Sequence, residues 1–338
     1  MMTMPRWRIV WIALFALCAG LNYAPGANAE TVWRMSNWVP PSHLLTREVL
    51  EPWIADVARV TEGRVRIEAL KAPLGKPPAH FDIAANGIAD VTIGVHGYTP
   101  GRFTLTQVVE LPFLSDSAEV LSVAYWRTHQ AYLAAANEHQ GVHVLGLWTH
   151  GPGHIFNARR PIERLDDLVG LKFRVGGGLV SDISEALGTV GVPAPATKAY
   201  ELLPNGVAEG IFFPTESVVF FNLAKLMRFA TLVPGGLYNA SFFVIVNQAR
   251  WDAIDATDRD AIMAVSGEVL ARRAGQAWDS ADKTGLRDLI TAGVRISVLS
   301  TPALLSLKQR LAFAEHEWVA RANALGADGA LIAAALRT

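Results

Sequence analysis

The sequence predicts an α/β protein. Short apolar or alternating strands take turns with helical stretches along most of the chain, and 51% of its 338 residues are hydrophobic, enough for one large core or two ordinary ones. A helical pattern beginning at Thr257 then runs for roughly thirty residues, long for a globular helix and long enough to brace two lobes. The charge balance, 30 Lys and Arg against 31 Asp and Glu, lacks the clustered basic excess of a nucleic-acid binder or a polybasic membrane patch.

Residues 1–29 have the layout of a secretory signal peptide: Arg6 and Arg8, an apolar run over residues 9–21, and the cleavage pattern Ala27-Asn28-Ala29. The run is too short to span a bilayer, which takes about 20 apolar residues. Cleavage removes Cys18, the chain's one cysteine, and leaves 28 basic against 31 acidic residues, a net charge of −3. An exported chain without disulfides fits a bacterial periplasm, and cysteine nucleophiles and thiolate metal sites are excluded.

In chain order, residues 31–35 alternate as a strand. Residues 43–61 carry Leu45, Val49, Trp53, Val57 and Val60 at helical spacing up to Gly63, with Pro52 expected to kink the helix or start its second half. Strands at 64–69 and in VTIGV flank the helical FDIAANGIAD, an order that argues for parallel sheets. A helix around 118–139 and the strand VHVLGLW lead to the turn-rich THGPGH, the first candidate domain boundary. Beyond it come the strand LKFRV, the glycine run 176–178, a short helix ending near Gly188, a strand around Val192, GIFFP and the buried strand FFVIVN. The long helix is expected to be capped by Thr257 with Asp260, and a last strand, GVRISVL, precedes a helix with Pro302 in its first turn.

No G-x-S-x-G elbow, H-E-x-x-H, Walker loop or dinucleotide fingerprint occurs in the sequence. The glycine run before a helix suits an anion at Gly176 but lacks what a nucleotide loop needs. His150 and His154 have the spacing of metal ligands on a helix, but Gly151-Pro152-Gly153 forbids that helix; a polar wall residue or a satisfied loop histidine fits better than zinc. Arg174 is the most informative residue. It is the last polar side chain of its strand before the glycines, where α/β proteins bind ligands, and its planar donor fork matches a carboxylate. A surface ion pair is the competing reading.

Taken in order, TEGRVRIE, NGIADVTIG, ELPFL, RRPIERLDDLVGLKFRV, ELLPNGVAEGIFFP and FFVIVNQARWDAI resemble the solute-binding subunit of tripartite ATP-independent periplasmic (TRAP) transporters, over nearly the whole chain after the leader. The resemblance implies a two-lobed periplasmic solute-binding fold with a long helix spanning both lobes. Lobe I is expected at 30–151 plus 240–279 and lobe II at 152–239 plus 280–330, with the ligand cleft between them. It also implies that Arg174 clamps the ligand carboxylate.

Two departures from the family pattern narrow the ligand. A second arginine is missing near Gly153 and His154, where His154 is a partial substitute, and Phe212-Phe213-Pro214 stands where Glu-Asn-Pro is usual. An unpaired buried polar group costs about 1 to 3 kcal/mol, so these losses favour a monocarboxylate with an apolar or aromatic body. The expected ligand-binding residues are Arg174, Phe213, Trp38, Trp148, His154, Gly176, Asn239 and His150, with His43, His96, Tyr98 and Glu216 as further candidates. Plain core packing is the competing reading for the aromatic residues. The chain is thus expected to be a monomeric, non-catalytic binding protein without cofactor or metal, delivering an organic acid to TRAP permease subunits and binding no nucleic acid. Service to a sensor or an ATP-driven importer, and a periplasmic hydrolase, are the alternatives.

Overall fold

A computed structural model describes residues 30–337; the expected leader at 1–29 lies outside them. The strands are β1 (Thr31–Ser36), β2 (Val65–Ala69), β3 (Val91–Val95), β4 (Val142–Thr149), β5 (His154–Asn157), β6 (Lys172–Val175), β7 (Val190–Pro193), β8 (Gly210–Phe213), β9 (Phe229–Leu232), β10 (Ser241–Asn247) and β11 (Arg295–Val298). The helices are α1 (Glu51–Val60), α2 (His80–Ala85), α3 (Ala118–Thr128), α4 (Leu179–Ala186), α5 (Ala199–Leu202), α6 (Thr215–Phe220), α7 (Gln248–Asp252), α8 (Ala256–Ala264), α9 (Gly267–Thr291), α10 (Thr301–Ala324) and α11 (Gly329–Ala335).

Two sheets form, in the orders β2-β1-β3-β10-β4 and β11-β9-β5-β8-β6-β7. The sequence led us to expect parallel sheets, and most neighbours are parallel. However, β10 runs antiparallel to both β3 and β4, and β5 antiparallel to both β8 and β9. These two strands follow the first two points where the chain passes from one sheet to the other; the third passage, through α9, leads to β11, which pairs parallel with β9. The first passage is only the four residues 150–153, so β5 follows β4 with no helix between them.

Local signals account for most element ends. Residues 45–50 form a π-helical turn and α1 follows with Pro52 in its first turn, where a missing N–H leaves no bond unmade. The helix expected around 118–139 ends at Thr128 and continues as a π turn and a 3-10 turn that stops at left-handed Asn137. The long helical segment is divided as α8 and α9 at Val265 and Ser266. Gly267 has φ +53° and lies so close to Trp126 that an added Cβ would be 2.7 Å from the indole. The expected Thr257 cap is also corrected: Asp255 is the N-cap residue of α8.

With 25 residues, α9 is about 37 Å long and reaches across both halves. Two glycines let it pack closely. An added Cβ at Gly275 would be 2.3 Å from the Glu119 backbone in α3, and one at Gly285 would be 2.8 Å from that of Glu216 in α6. The core is continuous across the sheets, since one buried cluster joins Leu147 and Phe243 of the first sheet to Phe173 and Phe212 of the second.

Candidate functional site

A cavity lies where the carboxyl ends of β1, β3, β6 and β8 face one another, the place where open α/β sheets present their loops to ligands. Trp38, His43, Val95, Gly97, Tyr98 and Glu110 line it from the side of the first sheet. Arg174, Gly176, Gly177, Ala196, Phe213 and Ser217 line it from the side of the second. His150, Tyr238, Phe242 and Trp278 close its back. The space in which a water-sized sphere can be centred is about 50 Å3, room for several waters or one small flat body.

Arg174 is only 1% exposed. Its Nε donates to the Ala194 carbonyl at 2.9 Å and its Nη2 to the same oxygen at 2.5 Å, and its guanidinium carbon lies 4.7 Å from the centre of the Phe213 ring. Nη1 donates to nothing among the described residues, and no carboxylate there pairs with this cation. A buried charge without a counter-ion is costly, so the arrangement calls for an anion from outside. Gly176 keeps the approach open, since an added Cβ would reach 3.9 Å from Nη2.

The cavity's histidines are neutral and committed. His43 Nδ1 accepts the Leu45 N–H at 3.1 Å, which leaves Nε2–H facing Glu216 Oε1 at 3.5 Å. Burial, aided by the charge of Arg47, holds His43 down to about 3. Burial pushes Glu216 up to about 8, while Ser217 Oγ donates to it at 2.8 Å. His150 Nε2 accepts the Ala240 N–H and Nδ1–H donates to the Gly151 carbonyl, so the ring offers a ligand only its carbon edge or its face. Burial, with the Arg174 charge adding to it, lowers His150 to about 4.

Of the residues expected from the sequence, Trp38, His150, Arg174, Gly176 and Phe213 line the cavity. Trp148, His154 and Asn239 lie one layer behind it. Trp148 is fully buried and stacks on Phe242 at 6.0 Å, so Phe242 forms the wall. His154 Nδ1 accepts the Val233 N–H at 3.1 Å. Asn239 Nδ2 donates to the carbonyls of His150 and Gly151, fixing the passage between sheets. Of the weaker candidates, His43 and Tyr98 reach the cavity, whereas His96 is turned inward to Ser241 and His139.

Sequence reasoning missed Glu110, Tyr238, Phe242 and Trp278. Glu110 follows no motif beyond ELPF, and Trp278 looks like any core residue of an amphipathic helix. Glu110 is fully enclosed, and burial pushes its carboxyl up to about 7. Tyr98 Oη accepts the Ala196 N–H at 3.0 Å from across the cleft. Among the described residues, no group of three or more His, Cys, Asp or Glu is placed to hold a metal ion.

The profile of the DctP family, bacterial extracellular solute-binding protein family 7, matches residues 35–320. A TRAP periplasmic solute-binding protein from Bordetella bronchiseptica, solved with (R)- and (S)-mandelate, is 38% identical; the match covers 91% of this chain and 98% of that one at a TM-score of 0.88. A marine metagenome TRAP solute-binding protein specific for aromatic acid ligands, solved with 3-hydroxybenzoate, is 30% identical over 91% of this chain and 97% of that one, at a TM-score of 0.85. A Comamonas testosteroni protein named outer membrane transporter protein TsaT is 29% identical over 93% of each chain.

Proposed function

This chain belongs to bacterial extracellular solute-binding protein family 7, and from that premise we propose that it captures a small aromatic monocarboxylate and hands it to a TRAP-type permease. The observation that carries the ligand class is the buried, unpaired Arg174 guanidinium facing a cavity walled by Trp38, Tyr98, Phe213, Phe242 and Trp278. A carboxylate supplies the missing counter-ion, and a flat apolar body fills the rest without leaving polar groups unpaired. The neighbours with mandelate and 3-hydroxybenzoate support the same class.

In this reading residues 30–151 with 240–279 form lobe I, and 152–239 with 280–330 form lobe II. The lobes close on the ligand by a hinge at the three passages between sheets, one of them through α9, and present a joint surface to the permease. Arg174 clamps the carboxylate, and Phe213, Trp38, His150 and Gly176 shape the space around it. Trp148, His154 and Asn239 support that wall from behind. Residues 1–29 direct export to the periplasm and are removed there.

Thermal-shift screening tests this with benzoate, mandelate and 3-hydroxybenzoate against succinate, glucuronate and aliphatic acids. A ligand at 100 times its Kd adds about 2.7 kcal/mol. The aromatic monocarboxylates are expected to raise Tm most. A larger shift with a dicarboxylate or a hexuronate overturns the ligand class. Recovery of the bound acid unchanged is the outcome expected of a binding protein; conversion of the acid overturns the non-catalytic reading.

A further inference from the structure

We infer that Glu110 is a second recognition group of the cleft, which closes on the ligand as a neutral carboxyl and donates its O–H to an oxygen of the bound acid. The inference rests on the proposed function for the presence of an acid in this cavity. Its own ground is a donor without an acceptor. Glu110 ends the 3-10 turn Thr106–Glu110, lines the cavity opposite Arg174 and is 3% exposed. No Lys, Arg or His pairs with it among the described residues. Its two hydrogen bonds, from Ser241 N to Oε1 and from Leu179 N to Oε2, are both received and both long at 3.4 Å.

A carboxyl buried without a cation is protonated, and a protonated carboxyl has one O–H to give. Nothing among the described residues takes it. Two other donors around the same cavity are in a similar state. Among the described residues, Arg174 Nη1 is unused, and Tyr98 Oη accepts from Ala196 but donates to nothing. Glycines leave room beside these groups. An added Cβ at Gly97 would be 3.6 Å from Glu110 Oε1, and one at Gly176 would be 3.9 Å from Arg174 Nη2 and 4.0 Å from the Tyr98 ring. Among the described residues the cavity wall thus holds three groups with a donor to spare, the Glu110 O–H, Arg174 Nη1 and the Tyr98 O–H, which is what a carboxylate or a carboxylate with a neighbouring hydroxyl requires.

The groups facing Glu110 favour the neutral form. Asp182 of α4 adds its negative charge to the effect of burial, and the neighbouring hydroxyls of Tyr125 in α3 and Tyr238 are themselves pushed upward by burial. Arg174 is the cation of the cavity, and the ligand anion takes up its charge. Opening the lobes would wet Glu110 and return it to the ordinary carboxylate range, so closing on a ligand takes up a proton. Selectivity follows as well, because a ligand with a second carboxylate would meet no second cation among the described residues lining the cavity.

Titration calorimetry of the purified protein with benzoate at pH 6, between the ordinary Glu value of 4.5 and the raised value of about 7, in two buffers of different ionisation enthalpy, reads the proton directly. The wild type is expected to take up about one proton on binding, and Glu110→Gln to take up about one fewer while still binding. Between pH 5.5 and 7 the wild-type Kd is expected to rise by up to about tenfold per pH unit, more steeply than that of Glu110→Gln. Binding without proton uptake, or with uptake equal in wild type and Glu110→Gln, overturns the Glu110 assignment and leaves the proposed function standing. If benzoate, mandelate and 3-hydroxybenzoate all fail to bind the wild type, the proposed function falls and this inference with it. Should Glu110→Gln not fold, a wild type that binds without proton uptake still overturns the assignment, as does an uptake abolished by Glu216→Gln or Asp282→Asn, whereas an uptake that persists in both supports it.

Discussion

Asp279 and Asp282 stand one turn apart on α9 and cap helices from opposite sides of the cleft. Asp279 accepts the Ser117 hydroxyl and the Ala118 N–H, both at 2.6 Å, at the start of α3, whereas Asp282 Oδ1 accepts the Thr215 hydroxyl and the Glu216 N–H, both at 2.8 Å, at the start of α6. One helix thereby fixes the N-terminus of a helix in each half. Asp279→Ala removes charge-assisted cap bonds and is expected to cost about 1 to 2 kcal/mol in urea unfolding. A midpoint unchanged from wild type would refute the bracing role.

Arg174→Ala is expected to weaken benzoate binding by about 100-fold or more, since the only cation lining the cavity among the described residues is lost. Arg174→Lys keeps the charge but not the planar fork and is expected to recover only part of that loss. Calorimetry measures both, with circular dichroism checking the fold. Full affinity in Arg174→Ala would show that the carboxylate binds elsewhere.

The Phe213 ring lies under the Arg174 guanidinium and also walls the cavity. Cation–π contacts of this kind contribute about 0.5 to 2 kcal/mol. Phe213→Asn is therefore expected to weaken benzoate about tenfold relative to an aliphatic monocarboxylate of similar size. Equal losses for the two ligands would count against an aromatic pocket.

Backbone lies against backbone at Gly177, where φ is +84° and an added Cβ would be 2.5 Å from the Gly97 carbonyl oxygen. Gly206 has a similar φ of +68° with nothing within 4 Å, so Gly206→Ala carries the strain alone. Gly177→Ala is expected to lower ligand affinity at least tenfold more than Gly206→Ala. Parity between the two, measured by calorimetry, would mean that this contact does not govern closure.

Eight histidines, His43, His80, His96, His129, His139, His143, His150 and His154, are held below 6.5, mainly by burial. Four carboxyls, Glu110, Asp182, Glu216 and Asp282, are raised by burial. Unfolding below pH 6.5 lets each of these histidines bind a proton, so their contribution is intact above 6.5 and is lost as pH falls toward the folded values, about 3 to 4 for His43, His96, His129, His143, His150 and His154. The raised carboxyls act in the opposite sense, but they are half as many. Calorimetric Tm is therefore expected to fall from pH 7 to pH 5; a rise would mean that the carboxyls dominate.

The sequence by itself determined most of the elements and singled out Arg174 as a candidate for anion binding. Strand alternation and a glycine run are local properties of the backbone, and they placed Arg174 at a strand end facing a loop. Pro52 and Gly63 likewise marked the start and end of α1. What lies across the cleft from Arg174 was decided only by tertiary structure. Glu110 and Tyr98 are 64 and 76 residues away in the chain, and neither carries a local mark of its position. The pair Trp148 and Phe242 makes the same point. They are register partners on β4 and β10, both apolar and both buried, and the sequence singled out Trp148 while the cavity is walled by Phe242. Periodicity tells which face of a strand is apolar. Which apolar side chain borders an empty space depends on how the sheets, and the helix crossing them, pack together, and that is a property of the whole fold.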